Sequence, residues 1–317
     1  MTEAWRPDDE DEQRRGAGGP VKVRVPAKVN LHLGVGPLRG DGYHELNTVY
    51  HAISIYDELT ARRGDTLILT MEGEGTGELA LDDSNLVIRA AHALAGYAGV
   101  LPHARLHLRK QIPLAGGLAG GSADAAAALV ACDALWGTGL SREQLADIAA
   151  DLGSDVPFLI YGGTALGTGR GEAVSPVLAR PTSWHWVVAI ADVGLSTPAA
   201  YRELDRLRDA GTAGEPLGST DGLLAALRQR DPRVLAAALG NDLQDAALTM
   251  RPSLAATLKA GEAAGAFAGI VSGSGPTCVF LATDEADARR IAAELEAAEV
   301  CREAWVAHGP VAGARVV

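Results

Sequence analysis

Four stretches of this sequence combine residue types whose spacing could do chemistry. The strongest is Pro113-Leu114-Ala115-Gly116-Gly117-Leu118-Ala119-Gly120-Gly121-Ser122-Ala123. It follows a strand-like segment and opens into a run of alanine and leucine that should form a helix buried on most of its circumference. Glycines let backbone N–H groups approach an anion, and a helix N-terminus carries roughly half a positive charge, so this arrangement suits a phosphate. It is not a Walker-type loop, because no lysine follows the glycines, and it is not GxGxxG. A flexible connector is the plain alternative, but a connector has no reason to end in a buried alanine helix.

In Pro26-Ala27-Lys28-Val29-Asn30-Leu31-His32-Leu33-Gly34-Val35, Lys28 and Asn30 share one face of an otherwise apolar strand. A lysine flanked by buried positions is costly unless it meets a carboxylate or an anionic ligand. A lysine snorkelling from a sheet edge fits the same pattern equally well. Gly153-Ser154-Asp155-Val156-Pro157-Phe158 places an aspartate at the end of a helix, where the dipole disfavours a carboxylate, so a purely structural acid would be an odd choice there. Val271-Ser272-Gly273-Ser274-Gly275-Pro276-Thr277 is a second glycine turn between two strands, with a simple tight loop as its other reading. The histidines His51, His92, His103, His107, His185 and His308 show no metal-ligand spacing and read as surface or core.

The elements that must position these residues follow from periodicity. Val21, Val23 and Val25 alternate with Lys22 and Arg24 as in a half-buried strand that ends before Pro26. Further strands are expected at Val49 to Ile55, Leu67 to Met71 and Leu106 to Leu108. Helices are expected at Asn85 to Tyr97, with Asp83 and Ser84 as caps, at Ser122 to Trp136, and at Ser141 to Leu152, where Ser141 and Gln144 form a capping box. A strong strand at Trp186 to Ala191 opens a second half. There the pattern predicts helices at Pro198 to Arg208, Gly222 to Arg228, Val234 to Leu239, Pro252 to Ala264 and Asp284 to Ala298. Strands are expected at Gly269 to Ser272, Cys278 to Ala282 and Ala304 to Ala307. The whole is an α+β pattern in two domains, 21–182 and 183–317, behind an acidic tail over 1–20 with almost nothing apolar to bury.

Composition narrows the function classes. The chain has 317 residues, 47% of them hydrophobic, and a net charge of -12, which argues against sequence-blind nucleic-acid binding. Its 3 cysteines are too few and too widely spaced for a disulfide framework or a CxxC site. No apolar run approaches a membrane span and the first residues are not signal-like, so a cytoplasmic protein without membrane or nucleic-acid partners is expected.

Taken together, PAKVNLHLGV, RGDGYHELNTVYHAI, PLAGGLAGGSADAAAAL, GSDVPF and VSGSGPTCVF occur in the order and spacing of the GHMP small-molecule kinases, which this sequence resembles from Val21 to its C-terminus. The Asp41-Gly42-Tyr43-His44 run makes it most similar to the members that act on a cytidine diphosphate-linked polyol, CDP-methylerythritol, in non-mevalonate (MEP) isoprenoid biosynthesis. The resemblance implies an N-terminal ATP-binding domain with a mixed sheet and a buried helix, and a C-terminal α/β sandwich of ferredoxin-like type. It implies transfer of the ATP γ-phosphoryl group to the substrate 2-hydroxyl, with Asp155 as general base and Lys28 beside it. A base in that role is worth about 10²- to 10⁴-fold in rate.

Pro113, Leu114, Ala115, Gly116, Gly117, Leu118, Ala119, Gly120, Gly121, Ser122 and Ala123 would cradle the ATP phosphates. The Ser122 hydroxyl is then a candidate phosphate or Mg²⁺ contact, and Asn85 and Lys110 are candidate adenine contacts. Asn30, Tyr43, His44, Thr197 and Tyr201 match the acceptor side, where Tyr201 would stack on a base; taken alone, a tyrosine in a helix is more often core. Ala115 and Ala119 stand where further glycines are common, which is tolerable if both keep negative φ. A homoserine- or mevalonate-type kinase lacks a reason for Tyr43 and His44, and a non-catalytic nucleotide-binding relative lacks one for keeping both Lys28 and Asp155. Either a monomer or a homodimer fits.

Overall fold

The alternating valines at the start of the chain begin a strand that runs much further than its first proline. Strand β1 spans Val21–Leu38 and pairs antiparallel with β2, His44–Arg62. The computed structural model describes residues 19–178 and 182–317, so the expected acidic tail lies outside the described residues except at Gly19 and Pro20. The strand continues through Pro26 because the ladder register shifts between Pro26 and Ala27, an irregularity where a residue lacking an N–H is tolerated. A second shift falls between Asn30 and His32, beside the residues singled out for chemistry.

Strands β3 (Ile68–Gly73), β4 (Arg105–Lys110), β5 (Thr164–Thr168) and β6 (Ala173–Pro176) extend this first sheet. Helices α1 (Leu86–Ala98), α2 (Gly120–Trp136), α3 (Arg142–Leu152) and α4 (Val156–Tyr161) belong to the same half of the chain. α2 packs against β1, β2, α1, α3 and α4, and its alanines from Ala125 to Ala128 are fully buried. A side chain no larger than a methyl lets that helix lie close to the sheet from several sides. Asn85, rather than Asp83 or Ser84, caps α1: its side chain accepts from the Val87 N–H at 2.9 Å. The capping box at Ser141 and Gln144 opens α3 as expected.

The second sheet comes from β7 (Trp184–Ile190), β9 (Ala268–Val271), β10 (Cys278–Ala282) and β11 (Glu303–Gly309), antiparallel in the order β11-β7-β10-β9. Between β7 and β9 run α5 (Thr197–Asp209), α6 (Asp221–Gln229), α7 (Pro232–Ala236), β8 (Gly240–Asn241), α8 (Gln244–Met250) and α9 (Ser253–Ala263). Helix α10 (Glu285–Ala297) links β10 to β11. Numbered within this half, the strand order is 4-1-3-2, the ferredoxin-like arrangement.

The two halves are laced together. β8 pairs parallel with β1, and the terminal strand β12 (Arg315–Val316) pairs antiparallel with it, so the end of the chain completes the first sheet. A small apolar cluster of Leu33, Val35, Leu204, Leu207, Leu243 and Ala246 joins the outer part of β1 to α5 and α8. Among the described residues, no helix is long and apolar enough to cross a membrane. Cys132 and Cys278 are buried, and burial pushes both thiols up to about 12, so neither is a ready nucleophile.

Candidate active site

The glycine loop between β4 and α2 is held in place by the second glycine turn. Ser272 donates its hydroxyl to the Gly117 carbonyl at 3.2 Å, and the Thr277 N–H donates to the Gly116 carbonyl at 3.3 Å. Gly117 has φ +76°, and a Cβ there would run into the Ser272 carbonyl, so this contact requires glycine on the loop. The turn at 271–277 is therefore a clamp on the loop. Asn241, which sequence reasoning passed over, braces the clamp by donating to the carbonyls of Val271 at 2.8 Å and Gly273 at 2.7 Å.

The proviso on the two loop alanines fails. Ala115 has φ 47° and Ala119 has φ 58°, both left-handed. An L-residue there costs about 1–2 kcal/mol, which the surrounding contacts must offset. Ala119 is the N-cap of α2 and offers no capping side chain, and the first turn carries no acidic residue. The opening N–H groups of the helix have no intrahelical partners by geometry. Gly120, Gly121 and Ser122 line a cavity of about 710 Å³ at that point. An uncapped 17-residue helix whose N-terminus faces a cavity has the geometry and dipole to hold an anion.

Lys28 is not a snorkelling lysine. Its side chain is 6% exposed, with Nζ 2.7 Å from Asn30 Oδ1 and 3.4 Å from Asp155 Oδ2. Asn30 donates to Thr48 Oγ1 at 2.8 Å, and Thr48 donates to the His32 carbonyl at 2.7 Å, so a chain of hydrogen bonds fixes the amide that holds the ammonium. Asp155 is 29% exposed on the same cavity. The expectation that it meets an unfavourable dipole is corrected: Gly153 closes α3, and Asp155 is the N-cap position of α4, the favourable end for a carboxylate. Tyr50, unanticipated from sequence, also lines the cavity, with its ring 5.6 Å from Lys28 Nζ. Burial, and after it the Asp155 carboxylate, push its hydroxyl well above the usual value, so it stays a donor.

The far part of the cavity is built by the β1–β2 hairpin tip and α5. An Asp turn, with the Tyr43 N–H donating to Asp41 Oδ1 at 3.1 Å, sets Tyr43 and His44 at the start of β2. The His44 ring stacks on Tyr201 with centroids 5.2 Å apart, and its Nε2 lies 2.9 Å from Asp205 Oδ1. Burial raises the Tyr201 hydroxyl pKa, with the Asp155 charge adding to it. Arg170 lies 5.1 Å over the Tyr43 ring, a cation–π contact. Thr197 Oγ1 meets Ser274 Oγ at 2.8 Å, tying α5 to the clamp turn. Arg170 and Asp205 were missed because neither lies in a recognisable run; each matters only through what it meets across the fold.

The cavity thus gathers Lys28, Asn30, Tyr43, His44, Asp155, Thr197 and Tyr201 with Ala115, Gly116, Gly117 and the residues from Ala119 to Ser122. Pro113, Leu114, Leu118 and Ala123 belong to the loop without lining the cavity. Neither Asn85 nor Lys110, the two expected adenine contacts, lines this cavity. The Asn85 amide is spent on its cap and on the Ala80 carbonyl at 2.7 Å. Lys110 is fully buried, with Nζ 2.7 Å from both Asp57 Oδ2 and Asp124 Oδ2. Burial opposes its charge, but the two carboxylates more than offset that and raise its pKa. Burial also pushes the Asp124 carboxyl well up. Among the described residues, no group of 3 or more His, Cys, Asp or Glu could hold a metal by itself.

Comparison with known proteins gives a consistent picture. Residues 85–163 match the family described as GHMP kinases N terminal domain, and residues 223–300 match GHMP kinases C terminal. The chain is 85% identical over 316 residues to the 4-diphosphocytidyl-2-C-methyl-D-erythritol kinase of Salinispora tropica, covering 100% of both chains. It is 55% identical over 299 residues to the enzyme of the same name from Mycobacterium tuberculosis, covering 94% of this chain and 93% of that one. The crystal structure of a 4-(cytidine 5'-diphospho)-2C-methyl-D-erythritol kinase superposes with a TM-score of 0.73 at 34% identity, covering 90% of this chain and 98% of that one. A homoserine kinase from Cytophaga hutchinsonii superposes at 0.75 with 20% identity, covering 96% and 99%, which shows the shared fold alone.

Proposed function

The chain belongs to the GHMP kinase family, and from that premise we propose that it is a 4-diphosphocytidyl-2-C-methyl-D-erythritol kinase, transferring the ATP γ-phosphoryl group to the substrate 2-hydroxyl in non-mevalonate (MEP) isoprenoid biosynthesis. The observation that carries this reading is one cavity holding the Lys28–Asp155 pair, an uncapped helix N-terminus and the Tyr43, His44 and Tyr201 group together.

In this reading the phosphates of ATP lie against the N–H groups of the glycine loop and α2. The acceptor hydroxyl approaches Asp155, which takes its proton as the oxygen attacks phosphorus in line with the departing ADP oxygen. Lys28, held by Asn30 at 2.7 Å and standing 3.4 Å from Asp155, faces the negative charge of the transferring group. The work is positioning plus electrostatics, with no covalent enzyme intermediate.

The cytidine end is read by the aromatic group. Asp205 accepts from His44 Nε2, which leaves the contact to the cytosine edge to Nδ1. Stacking on a tyrosine adds about 1–3 kcal/mol. Ser122 and Asp155 place oxygens on this cavity that would help hold a Mg²⁺ ion brought with the nucleotide. It would neutralise phosphate charge there.

The deciding experiment is ADP release by the purified protein with Mg-ATP and 4-diphosphocytidyl-2-C-methyl-D-erythritol, run beside mevalonate, homoserine and no acceptor. Turnover with the cytidyl acceptor alone is expected. Turnover with mevalonate or homoserine instead, or with no acceptor at all, overturns the assignment.

A further inference from the structure

The Asp57–Lys110–Asp124 group lies outside the cavity but touches both ends of the loop that lines it. Asp57, on β2, accepts through Oδ1 from the N–H groups of Gln111 at 2.5 Å and Ile112 at 2.8 Å, the residues that lead into the loop. Its Oδ2 takes Lys110 Nζ at 2.7 Å. The same ammonium reaches Asp124 Oδ2 at 2.7 Å, on the fifth residue of α2, just past the loop's exit. The other oxygen of Asp124 takes no hydrogen bond among the described residues, and its ties to the loop's entrance are Lys110 and the neighbouring Asp57 carboxyl.

Packing points the same way. A Cβ on Gly120 would lie 3.0 Å from Lys110 Nζ and 3.1 Å from Ile112 Cγ2, so the ammonium presses against the first residue of α2 from behind while that residue's other neighbours face the cavity. The distance between the loop's ends is set by three buried, mutually bonded side chains. That distance decides where the helix N–H groups point, and misplacing such donors by about 1 Å costs on the order of 10²-fold.

Resting on the reading of this cavity as an ATP site, we propose that Lys110 is a positioning residue: with Asp57 and Asp124 it staples the entrance of the glycine loop to the first turns of α2, and so fixes the phosphate-binding N–H groups. It touches no substrate.

The test separates positioning from mere stability. Removing Lys110 alone strands two buried carboxylates, so the informative variant is Lys110→Met with Asp124→Leu, which removes the ion pair yet leaves Asp57 on its two backbone donors. Asp57 keeps its two backbone donors but loses its cation, so the double variant is expected to lose some stability. The expected result is a protein that still folds, at a lower melting temperature, with the Kd for a non-hydrolysable ATP analogue raised at least about tenfold by calorimetry and the Kd for the cytidyl acceptor unchanged.

A folded double variant with wild-type affinity for the ATP analogue overturns the proposal, as does an equal loss for both ligands. Should the double variant fail to fold, Asp124→Asn, which preserves shape, decides: a severalfold loss of affinity for the ATP analogue alone supports the staple, and unchanged binding of both ligands overturns it. Because the readout is binding, a wild-type protein that binds the ATP analogue but turns over no cytidyl acceptor would sink the assigned reaction while leaving this test intact.

Discussion

Two lysines of this protein sit at strand positions amid apolar neighbours, and each meets aspartate, yet they differ in every respect that decides use. Lys110 is sealed, 0% exposed, with 2.7 Å contacts to Asp57 and to Asp124. Lys28 makes one 2.7 Å bond to a neutral amide and stands 3.4 Å from an Asp155 that is 29% open to the cavity. A lysine with two short carboxylate contacts and no solvent has nothing left to offer a substrate; it can only hold things apart or together. A lysine with a looser, partly open partner keeps charge to spare for a phosphoryl group, and its carboxylate remains reachable by a proton donor. Under the proposed function, satisfaction marks structure here and incompleteness marks chemistry.

The sharpest way to break that contrast is at Asp155. Asp155→Asn should lower kcat by about 10²- to 10⁴-fold while leaving the KM for ATP nearly unchanged; near wild-type turnover in steady-state assays would remove it as base. Lys28→Met should also cost about 10²- to 10³-fold in kcat, with the melting temperature little altered, since Asp155 is partly solvated and survives without its partner. Loss of fold in this variant would mean that Lys28 is as structural as Lys110.

A third buried polar group extends the comparison. His51, sealed between the two sheets, bonds Thr164 Oγ1 through Nδ1 at 2.8 Å and packs edge-on to Trp186 at 5.7 Å. Burial lowers its pKa to about 3. The unfolded chain takes up that proton near pH 6.5 and the folded chain only near pH 3. The stabilisation is therefore complete above about pH 6.5 and is lost as pH falls through that window, on the order of a few kcal/mol. Burial shifts His32 and His107 in the same direction. Urea midpoints should fall between pH 7 and pH 5, and His51→Asn should flatten that slope; a slope unchanged by the substitution would assign it to the other two.

At the open end of the cavity the expected effects are smaller. His44→Ala should raise the KM for the cytidyl acceptor by about tenfold to a hundredfold, the worth of one buried hydrogen bond with its stacking, and leave the KM for ATP alone. Equal effects on both substrates would place His44 elsewhere. Smallest of all, Ala119→Gly should relieve the left-handed strain at the cap of α2 and raise the melting temperature by no more than about 2–4 °C, because glycine's freedom in the unfolded chain cancels part of the gain. A fall in melting temperature would show that the alanine methyl contributes packing there.

Much of this architecture was legible in advance, for reasons that differ by element. The alanine run of α2, the strand at Cys278–Ala282 and the capping box of α3 are local patterns, and each appeared at or within two residues of its expected bounds. β1 was read too short because a proline inside a strand is tolerated only where the partner strand allows a bulge, and the partner is not visible from the strand itself. The short elements β8 and β12 were missed because two-residue strands exist only through what they pair with.

The site divides along the same line. The sequence alone determined where the glycine loop and its helix lie, that Lys28 and Asn30 share a strand face, and, through resemblance, which residues belong to one family pattern. Only the tertiary structure decided that Lys110 is spent on two aspartates, that Asp155 opens a helix rather than ending one, and that two loop alanines are left-handed. Helix and strand preferences act over a few residues and are written locally, whereas the meaning of a charge depends on which distant group it meets and how much water is left between them.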